Sequence, residues 1–357
     1  MIMLNKAERI LVRAVNWIGD AVMSTPALGV IRQYFPEAEL TVLANPPVSR
    51  LLLYHDHVDQ IITFDREGRH RGVRGRMRLA AEVRKQRFDV AIVLPNSFDS
   101  ALIPWLAGIP LRLGKKSDGR GFMLTSTYSP GAIGLQHEVD YYLGLLHSFG
   151  ITGDASRPHL VVTEPEIRDT DELLARSGIE RHMFLLGINP GAAFGSAKRW
   201  YPDRFAETAR RLAAAWGARI VIFGGPAETE IAGVIERNLD GACVNLAGKT
   251  TLRQLMALIK RCNFLVTNDS GPMHIAAALD VPLVAVFGST DHTGTAPFSD
   301  RAAIVRADVA CAPCKLRECP TDHRCMTEVR VDDVVSAAVD VLGPTGWQDS
   351  MSRRNYY

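Results

Sequence analysis

The chain has 357 residues, of which 47% are apolar and 22% charged, and a formal net charge of +2. That length suits about two domains of ordinary size. The composition is that of a folded globular protein, which excludes long disorder, and the near-zero balance selects no partner. The opening residues MIMLNKAERILVRAV lack the apolar core and cleavage site of a secretory signal, and no apolar run reaches the ~18 residues that span a bilayer. A cytosolic protein is expected, with association at a membrane surface left open.

Strand-like and helix-like segments alternate along the chain. ILVRAV (10–15) precedes a helical stretch from Asp20 to Tyr34, followed by LTVLA (40–44), a short helix, QIITF (60–64), a long basic helix and DVAIVL (89–94). A helix over VDYYLGLLHSFG (139–150) closes this half. The polar stretch 151–181, with Pro158 and Pro165, reads as the connection between domains and contains a short helix. A second series follows: MFLLGIN (183–189), a helix from Pro202 to Trp216, RIVIFGG (219–225), a loop and helix, NFLVTND (263–269), a helix from Gly271 to Leu279, and PLVAVFG (282–288). VDDVVSAAVDVL (331–342) is a last amphipathic helix, and SRRNYY ends a frayed tail. Strand, helix and strand at this spacing predict an α/β chain of two doubly wound parallel-sheet domains facing across a cleft. The boundaries are 1–165, 166–342 and a tail at 343–357. Ligands of such domains bind at the carboxyl ends of the strands, where the conspicuous loops fall.

Six segments carry candidate chemistry. In NWIGDAVMSTPAL (16–28), Asp20 is either the N-cap of a helix or a general base at the cleft. NPGAAFGSAKRWYP (189–202) is a glycine-rich loop after a strand. Gly191 and the cations Lys198 and Arg199 suit a diphosphate, against the alternative of a basic surface loop. In VTNDSGPMHIAAAL (266–279) a strand runs into a helix that starts at Gly271-Pro272. The backbone at Ser270 and Gly271 and the helix dipole make an anion site. His274 lies one turn on, and Asp269 is a cap or a ligand-binding carboxylate. In FGGPAETE (223–230), Glu228 either accepts from a ribose diol or favours the helix dipole. Nine basic residues against two acids between Arg66 and Arg87 (among them Arg69, Arg71, Arg74 and Arg76), with Lys115, Lys116 and Arg120, form either a solvated face or a surface for a phosphorylated or carboxylated acceptor at an anionic membrane. No nucleic-acid module is recognisable. CAPCKLRECPTDHRC (311–325) places Cys311, Cys314, Cys319 and Cys325 as either a structural zinc site or a cluster of thiols. Cys243 and Cys262 read as core residues.

Taken together, NWIGDAVMS, VLPNSFDSALIPWLAGIP (93–110), PGAAFGSAKRWYP, NLAGKTTL (245–252) and TNDSGPMHIAAAL resemble the ADP-heptose:lipopolysaccharide heptosyltransferase family, its heptosyltransferase II branch most of all. The resemblance runs over nearly the whole chain. It implies the GT-B fold, an ADP-linked heptose donor, and inverting transfer to the heptosyl-Kdo-lipid A inner core at the inner face of the inner membrane. It implies that 1–165 binds acceptor and 166–342 binds the nucleotide sugar. Asp20 would be the catalytic base, Lys198 the diphosphate ligand, Glu228 the ribose ligand and Asp269 the heptose ligand. The backbone of Ser270 and Gly271, with His274, would hold phosphate. The chain departs from many relatives at Ala192-Ala193, where a polar or acidic residue is common. No Asp-x-Asp pair sits in a donor loop, so no metal clamp or other cofactor is expected. A nucleotide-sugar 2-epimerase of the same fold, another heptosyltransferase of the family and a non-catalytic nucleotide-sugar-binding module are the competing readings.

Overall fold

The computed structural model describes residues 4–128 and 136–343. Apart from Gly343, the expected tail lies outside the described residues. Contacts divide the chain into two compact units between Val161 and Val162.

The first unit holds six parallel strands: β1 (Arg9–Arg13), β2 (Glu39–Ala44), β3 (Gln60–Thr63), β4 (Val90–Val93), β5 (Leu111–Lys115) and β6 (Ser126–Tyr128). Their order is β3-β2-β1-β4-β5-β6. Helices cover the sheet, so the inner strands are continuous apolar runs rather than alternating ones: Ile10, Leu11, Val12 and all of β4 are buried. The chain builds outward from β1 through β2 to β3, then returns to β4 on the other side of β1. That reversal opens a crevice at the carboxyl ends of β1 and β4.

The second unit repeats the plan with β7 (Leu185–Asn189), β8 (Arg219–Ile222), β9 (Val244–Asn245), β10 (Phe264–Asn268), β11 (Leu283–Phe287) and β12 (Ala302–Arg306). The order β12-β11-β10-β7-β8-β9 places its reversal between β7 and β10. Both units are thus doubly wound parallel sheets, the domain type that the GT-B expectation requires. The core of the second unit is aromatic, with Trp200 against Phe205 (ring centroids 5.2 Å) and Trp216 against Phe264 (5.1 Å). The helix Pro202–Trp216 has Pro in its first turn and ends at Gly217 with φ of 61°, a conformation that favours glycine. The closing helix Val331–Leu342 buries Val334, Ala338 and Leu342 in the same core.

One expected helix is two. The stretch from Asp20 to Tyr34 is divided into Ile18–Met23 and Thr25–Tyr34. Pro26 has no N–H to give the carbonyl of Val22. The Thr25 hydroxyl takes its place at 2.8 Å, and Ser24 Oγ donates to Ala21 O at 2.8 Å.

The second unit begins with the helix Glu164–Ala175, which is tied to the helix Leu252–Arg261 by a two-pronged ion pair. Arg253 Nε and a terminal nitrogen donate to the two Glu166 oxygens at 2.7 and 2.5 Å, and the Thr163 N–H donates to Glu166 at 2.8 Å. Burial works against the Glu166 charge, but the Arg253 and Thr163 hydrogen bonds outweigh it and hold the carboxyl at about 2. A carboxyl depressed in the folded state stabilises above its unfolded pKa and loses that contribution as pH falls through the folded one. Glu166→Gln is therefore expected to be less stable than the parent at neutral pH and to close the gap between pH 4.5 and about 2. Urea denaturation across that window measures it; a gap that does not change with pH would remove the ion pair from the stability of this unit.

Candidate active site

In the second unit the site is built on the last residues of β7 and β10, which pair with Thr267 opposite Asn189. Asn189 Nδ2 donates to Thr267 Oγ1 at 2.9 Å and to Ser270 Oγ at 3.0 Å. Asn268 Nδ2 donates to Pro190 O at 2.7 Å, and Asn268 Oδ1 accepts from the Trp200 N–H at 3.0 Å. The loop from Pro190 to Trp200 is thus held at both ends by one side chain. Trp200 is buried and its indole N–H donates to Val329 O.

That loop presents Lys198, which ends a 3-10 turn (Ser196–Lys198). Its Nζ stands 2.6 Å from Asp269 Oδ2 and 5.1 Å from the centre of the Phe194 ring. Both members of the pair are largely buried, with 13% and 4% side-chain exposure. Thr290 donates a second hydrogen bond to Asp269. Asp269 is not the helix cap: that position is Ser270, which precedes the helix Gly271–Ala278. The Ser270 hydroxyl is spent on Asn189 and on Asn268 O, which leaves the backbone at Ser270 and Gly271 as the part of this turn suited to an anion. His274 is buried in the same helix. Glu228 lies against three glycines. A Cβ on Gly191 would fall 2.4 Å from Glu228 Cγ, on Gly224 2.8 Å from its Cβ, and on Gly225 2.9 Å from Oε2. These glycines let a carboxylate sit at the ends of β7 and β8. The structure therefore gathers Gly191, Lys198, Glu228, Asp269, Ser270, Gly271 and His274 at the ends of β7, β8 and β10.

The cysteine-rich segment serves this loop in a way its sequence did not show. Arg317 O accepts from the Ala197 N–H at 2.9 Å, and a Cβ on Gly195 would strike that carbonyl at 2.2 Å. His323 joins Ala197 O at 3.0 Å and Tyr201 Oη at 3.4 Å. The four cysteines are not preassembled as a ligand set. Among the described residues no three of Cys311, Cys314, Cys319 and Cys325 bring ligand atoms within 4.8 Å of one another. All four are free thiols; Cys311 and Cys314 are exposed, whereas Cys325 is buried. Burial, with the three neighbouring cysteines, pushes the Cys325 thiol up to about 11, the behaviour of a thiol in apolar surroundings.

In the first unit Asp20 sits at the carboxyl end of β1, as the third residue of the helix Ile18–Met23. The N-cap is Trp17, so the capping reading of Asp20 does not hold. The turn before it is fixed by Arg13, whose buried guanidinium donates to Ala14 O, to Leu43 O at 3.3 Å and to Asn16 Oδ1 at 3.0 Å. Burial pushes Arg13 down to about 10. The helix Glu138–His147 faces Asp20: burial, then Asp20 and Glu138, push the Tyr142 hydroxyl well up. Burial raises the Glu138 carboxyl as well. Tyr141 Oη donates to Asn96 Oδ1 at 2.8 Å, with Lys115 Nζ 5.4 Å from its ring centre. Arg13, Asn96, Glu138, Tyr141, Asn189 and Asn268 escaped the sequence reading. Two of them carried a signal: Asn189 and Asn268 each end an apolar strand.

The basic candidates separate. Arg71, Arg74 and Lys116 are exposed. Arg69 pairs with Glu82, and Arg76 Nε with Asp99 at 2.8 Å. Arg120 leaves the acceptor-binding set. It is fully buried, and its guanidinium donates to Lys115 O at 3.0 and 3.1 Å, Ser97 O at 3.1 Å and Ser100 Oγ at 2.6 Å.

A family model described as glycosyltransferase family 9 (heptosyltransferase) matches residues 76–324. The lipopolysaccharide heptosyltransferase 2 of Escherichia coli is 36% identical over 309 residues, which cover 84% of this chain and 88% of that one. Among solved structures, a family 9 glycosyl transferase from Veillonella parvula superposes with a TM-score of 0.87 at 26% identity, covering 96% of this chain and 98% of that one. The E. coli ADP-heptose LPS heptosyltransferase II gives 0.79 at 31% identity, covering 94% and 98%.

The placement of Arg120 gives a stability prediction. Arg120→Lys cannot reach these acceptors with a planar fork and leaves carbonyls unpaired. A loss of about 2–3 kcal/mol is expected in urea denaturation, against less than about 0.5 kcal/mol for the exposed Arg74→Ala. Equal, small effects in both would return Arg120 to the surface set.

Proposed function

Because the chain belongs to glycosyltransferase family 9 (heptosyltransferase), we propose that it transfers heptose from ADP-L-glycero-D-manno-heptose to the heptosyl-Kdo-lipid A inner core in lipopolysaccharide assembly. The observation that carries this reading is the Lys198–Asp269 pair, 2.6 Å apart, on a clamped glycine-rich loop at the β7–β10 reversal. It puts a cation, a carboxylate and a helix start where a doubly wound unit receives a nucleotide. Lys198 binds the diphosphate of the donor, with the backbone at Ser270 and Gly271 and with His274. Glu228, seated against Gly191, accepts from the ribose diol, and Asp269 from heptose hydroxyls.

Asp20 accepts the proton of the acceptor hydroxyl as that oxygen bonds to the anomeric carbon. The bond from that carbon to the diphosphate oxygen breaks in the same displacement. The electron pair leaves with ADP, where Lys198 meets the growing charge. One displacement inverts the anomeric centre and involves neither a covalent intermediate nor a cofactor.

The lipid-linked acceptor places the work at the inner face of the inner membrane. No helix among the described residues is long and apolar enough to cross a bilayer. What supports a peripheral location is an exposed aromatic group in the first unit: Phe122, 65% exposed, lies 5.9 Å from Trp105 and 6.2 Å from Phe98 between ring centres. The helix Gly72–Lys85 adds exposed Val73 and Met77 beside exposed Arg71 and Arg74. Apolar side chains among cations suit an anionic lipid surface.

The proposal is tested by ADP release from ADP-heptose with and without heptosyl-Kdo-lipid A. Acceptor-dependent release is expected; its absence with this acceptor would sink the assignment. Asp20→Asn is expected to lower turnover by about 10²–10⁴ with donor affinity unchanged, and retention of most of the rate would remove Asp20 as base. Lys198→Ala is expected to weaken both donor binding and turnover, so parental kinetics in that variant would contradict the diphosphate role.

A further inference from the structure

At the amino-terminal end of the first unit's sheet, away from Asp20, the turn that leads into β3 carries His55, Asp56 and His57. His159, on the segment that leaves this unit, comes back to it through a hydrogen bond from its N–H to Thr25 Oγ1 at 3.2 Å. His159 Nε2 lies 2.7 Å from Asp56 Oδ1, and His55 Nδ1 lies 3.4 Å from the same oxygen. Among the described residues, His55, Asp56 and His159 are the group of three whose ligand atoms all fall within 4.8 Å of one another.

We propose that His55, Asp56 and His159 bind a divalent transition-metal ion of the zinc type, which clasps the exit segment of the first unit to the β2–β3 connection.

The geometry is close to that of a ligand set. Bonds of about 2.0–2.1 Å in a tetrahedron put neighbouring ligand atoms about 3.3–3.4 Å apart. The His55–Asp56 separation is already there, and the Asp56–His159 separation has to open by about 0.6 Å. Asp56 has the freedom to do this, with its side chain 60% exposed. Two imidazoles and one carboxylate suit zinc or a neighbouring first-row ion rather than calcium or magnesium, which prefer all-oxygen sets.

His55 is also an unexplained polar group. Its side chain is 1% exposed. Nδ1, the nitrogen that faces Asp56, accepts one long hydrogen bond, from the His57 N–H at 3.3 Å. Buried polar atoms are normally paired. A metal ion on Nδ1 takes the place of that long hydrogen bond and joins the buried imidazole to the carboxylate and the second imidazole beside it. The His57 ring is centred 5.5 Å from that of His55 and 5.3 Å from that of His159, so His57 or water completes the coordination. The ion closes a loop between residues 55 and 159 and touches none of the residues assigned to transfer; its effect is on stability.

The test uses the full chain stripped with a chelator and titrated with zinc against a competing chromophoric chelator, beside cobalt(II) absorption spectra. One zinc per chain is expected, with a rise in Tm and a cobalt spectrum free of thiolate charge transfer. His159→Ala and the more exposed Asp56→Asn should each weaken binding by more than about tenfold, since a lost ligand costs more than a lost outer partner. Cys314→Ser should bind as the parent does. The proposal is overturned if no zinc binds at micromolar concentration or if binding survives both variants; thiolate bands with cobalt would then place the metal on the cysteine-rich segment.

Discussion

The candidate site of the second unit depends on what the Asn268 amide does at the end of β10. A strand end in a parallel sheet releases its backbone into a loop, and a loop with glycines at 191 and 195 has much conformational freedom to lose. Asn268 removes that freedom at two points, by donating to Pro190 O and accepting from the Trp200 N–H. The second point lies on a residue sunk in the aromatic core, so the clamp and the core reinforce each other. Lys198 is two residues upstream of that anchor, and Asp269 is the next residue after Asn268. The last residue of β10 and the one after it therefore hold the loop and receive its ammonium. The Arg317 carbonyl and His323 fix the same loop from the cysteine-rich segment.

The first unit solves the matching problem with a charge. Arg13 ends β1 inside the protein, and burying a guanidinium is unfavourable unless its donors are matched. Here the two terminal nitrogens find Ala14 O, Leu43 O and Asn16 Oδ1, with the face of Phe64 5.8 Å from the guanidinium carbon, while Nε has no hydrogen-bond partner among the described residues. Asn45 donates to Asn16 O at 2.8 Å and caps the helix Pro46–Leu51. The turn between β1 and Asp20 is thus held from β1 and β2 together. In both units a buried polar side chain at the reversal point sets the position of the loop that carries the candidate residue.

These clamps show which parts of the molecule were legible in its sequence. The strands of both sheets beside the reversals were readable because burial on two faces makes them unbroken apolar runs. The helix Pro202–Trp216 was readable to the residue because Pro and Gly mark its ends. Strands β5, β6, β9 and β12 were not, because β6 and β9 have only three and two residues and β5 and β12 are only partly buried. Lys198, Glu228 and Asp269 were visible as charges in loops after strands, where a solvated loop would have looked the same. The clamp residues were hidden for the opposite reason. Asn268 and Arg13 look like ordinary strand ends until the partner 78 or 30 positions away is known. Arg120 misled because a buried arginine and a surface one have the same letter, and its acceptors are two backbone carbonyls and the Ser100 hydroxyl, which no charge pattern reports.

The pairing of Lys198 with Asp269 also bears on how such a site releases its product. A lone lysine would grip the diphosphate alike in the ground state and the transition state, and such uniform binding does not lower the barrier of the chemical step. Lys198 is held by a carboxylate with 4% exposure and by the face of Phe194, so it arrives aimed and needs no reorganisation when charge moves. On the proposed reading, Asp269 competes with the diphosphate for the ammonium throughout. That competition weighs least when the leaving oxygen carries its growing charge, and it loosens the hold on the departing nucleotide afterwards. The carboxylate then has two tasks that one position can perform, orienting the sugar and keeping the cation from binding its ligand too well.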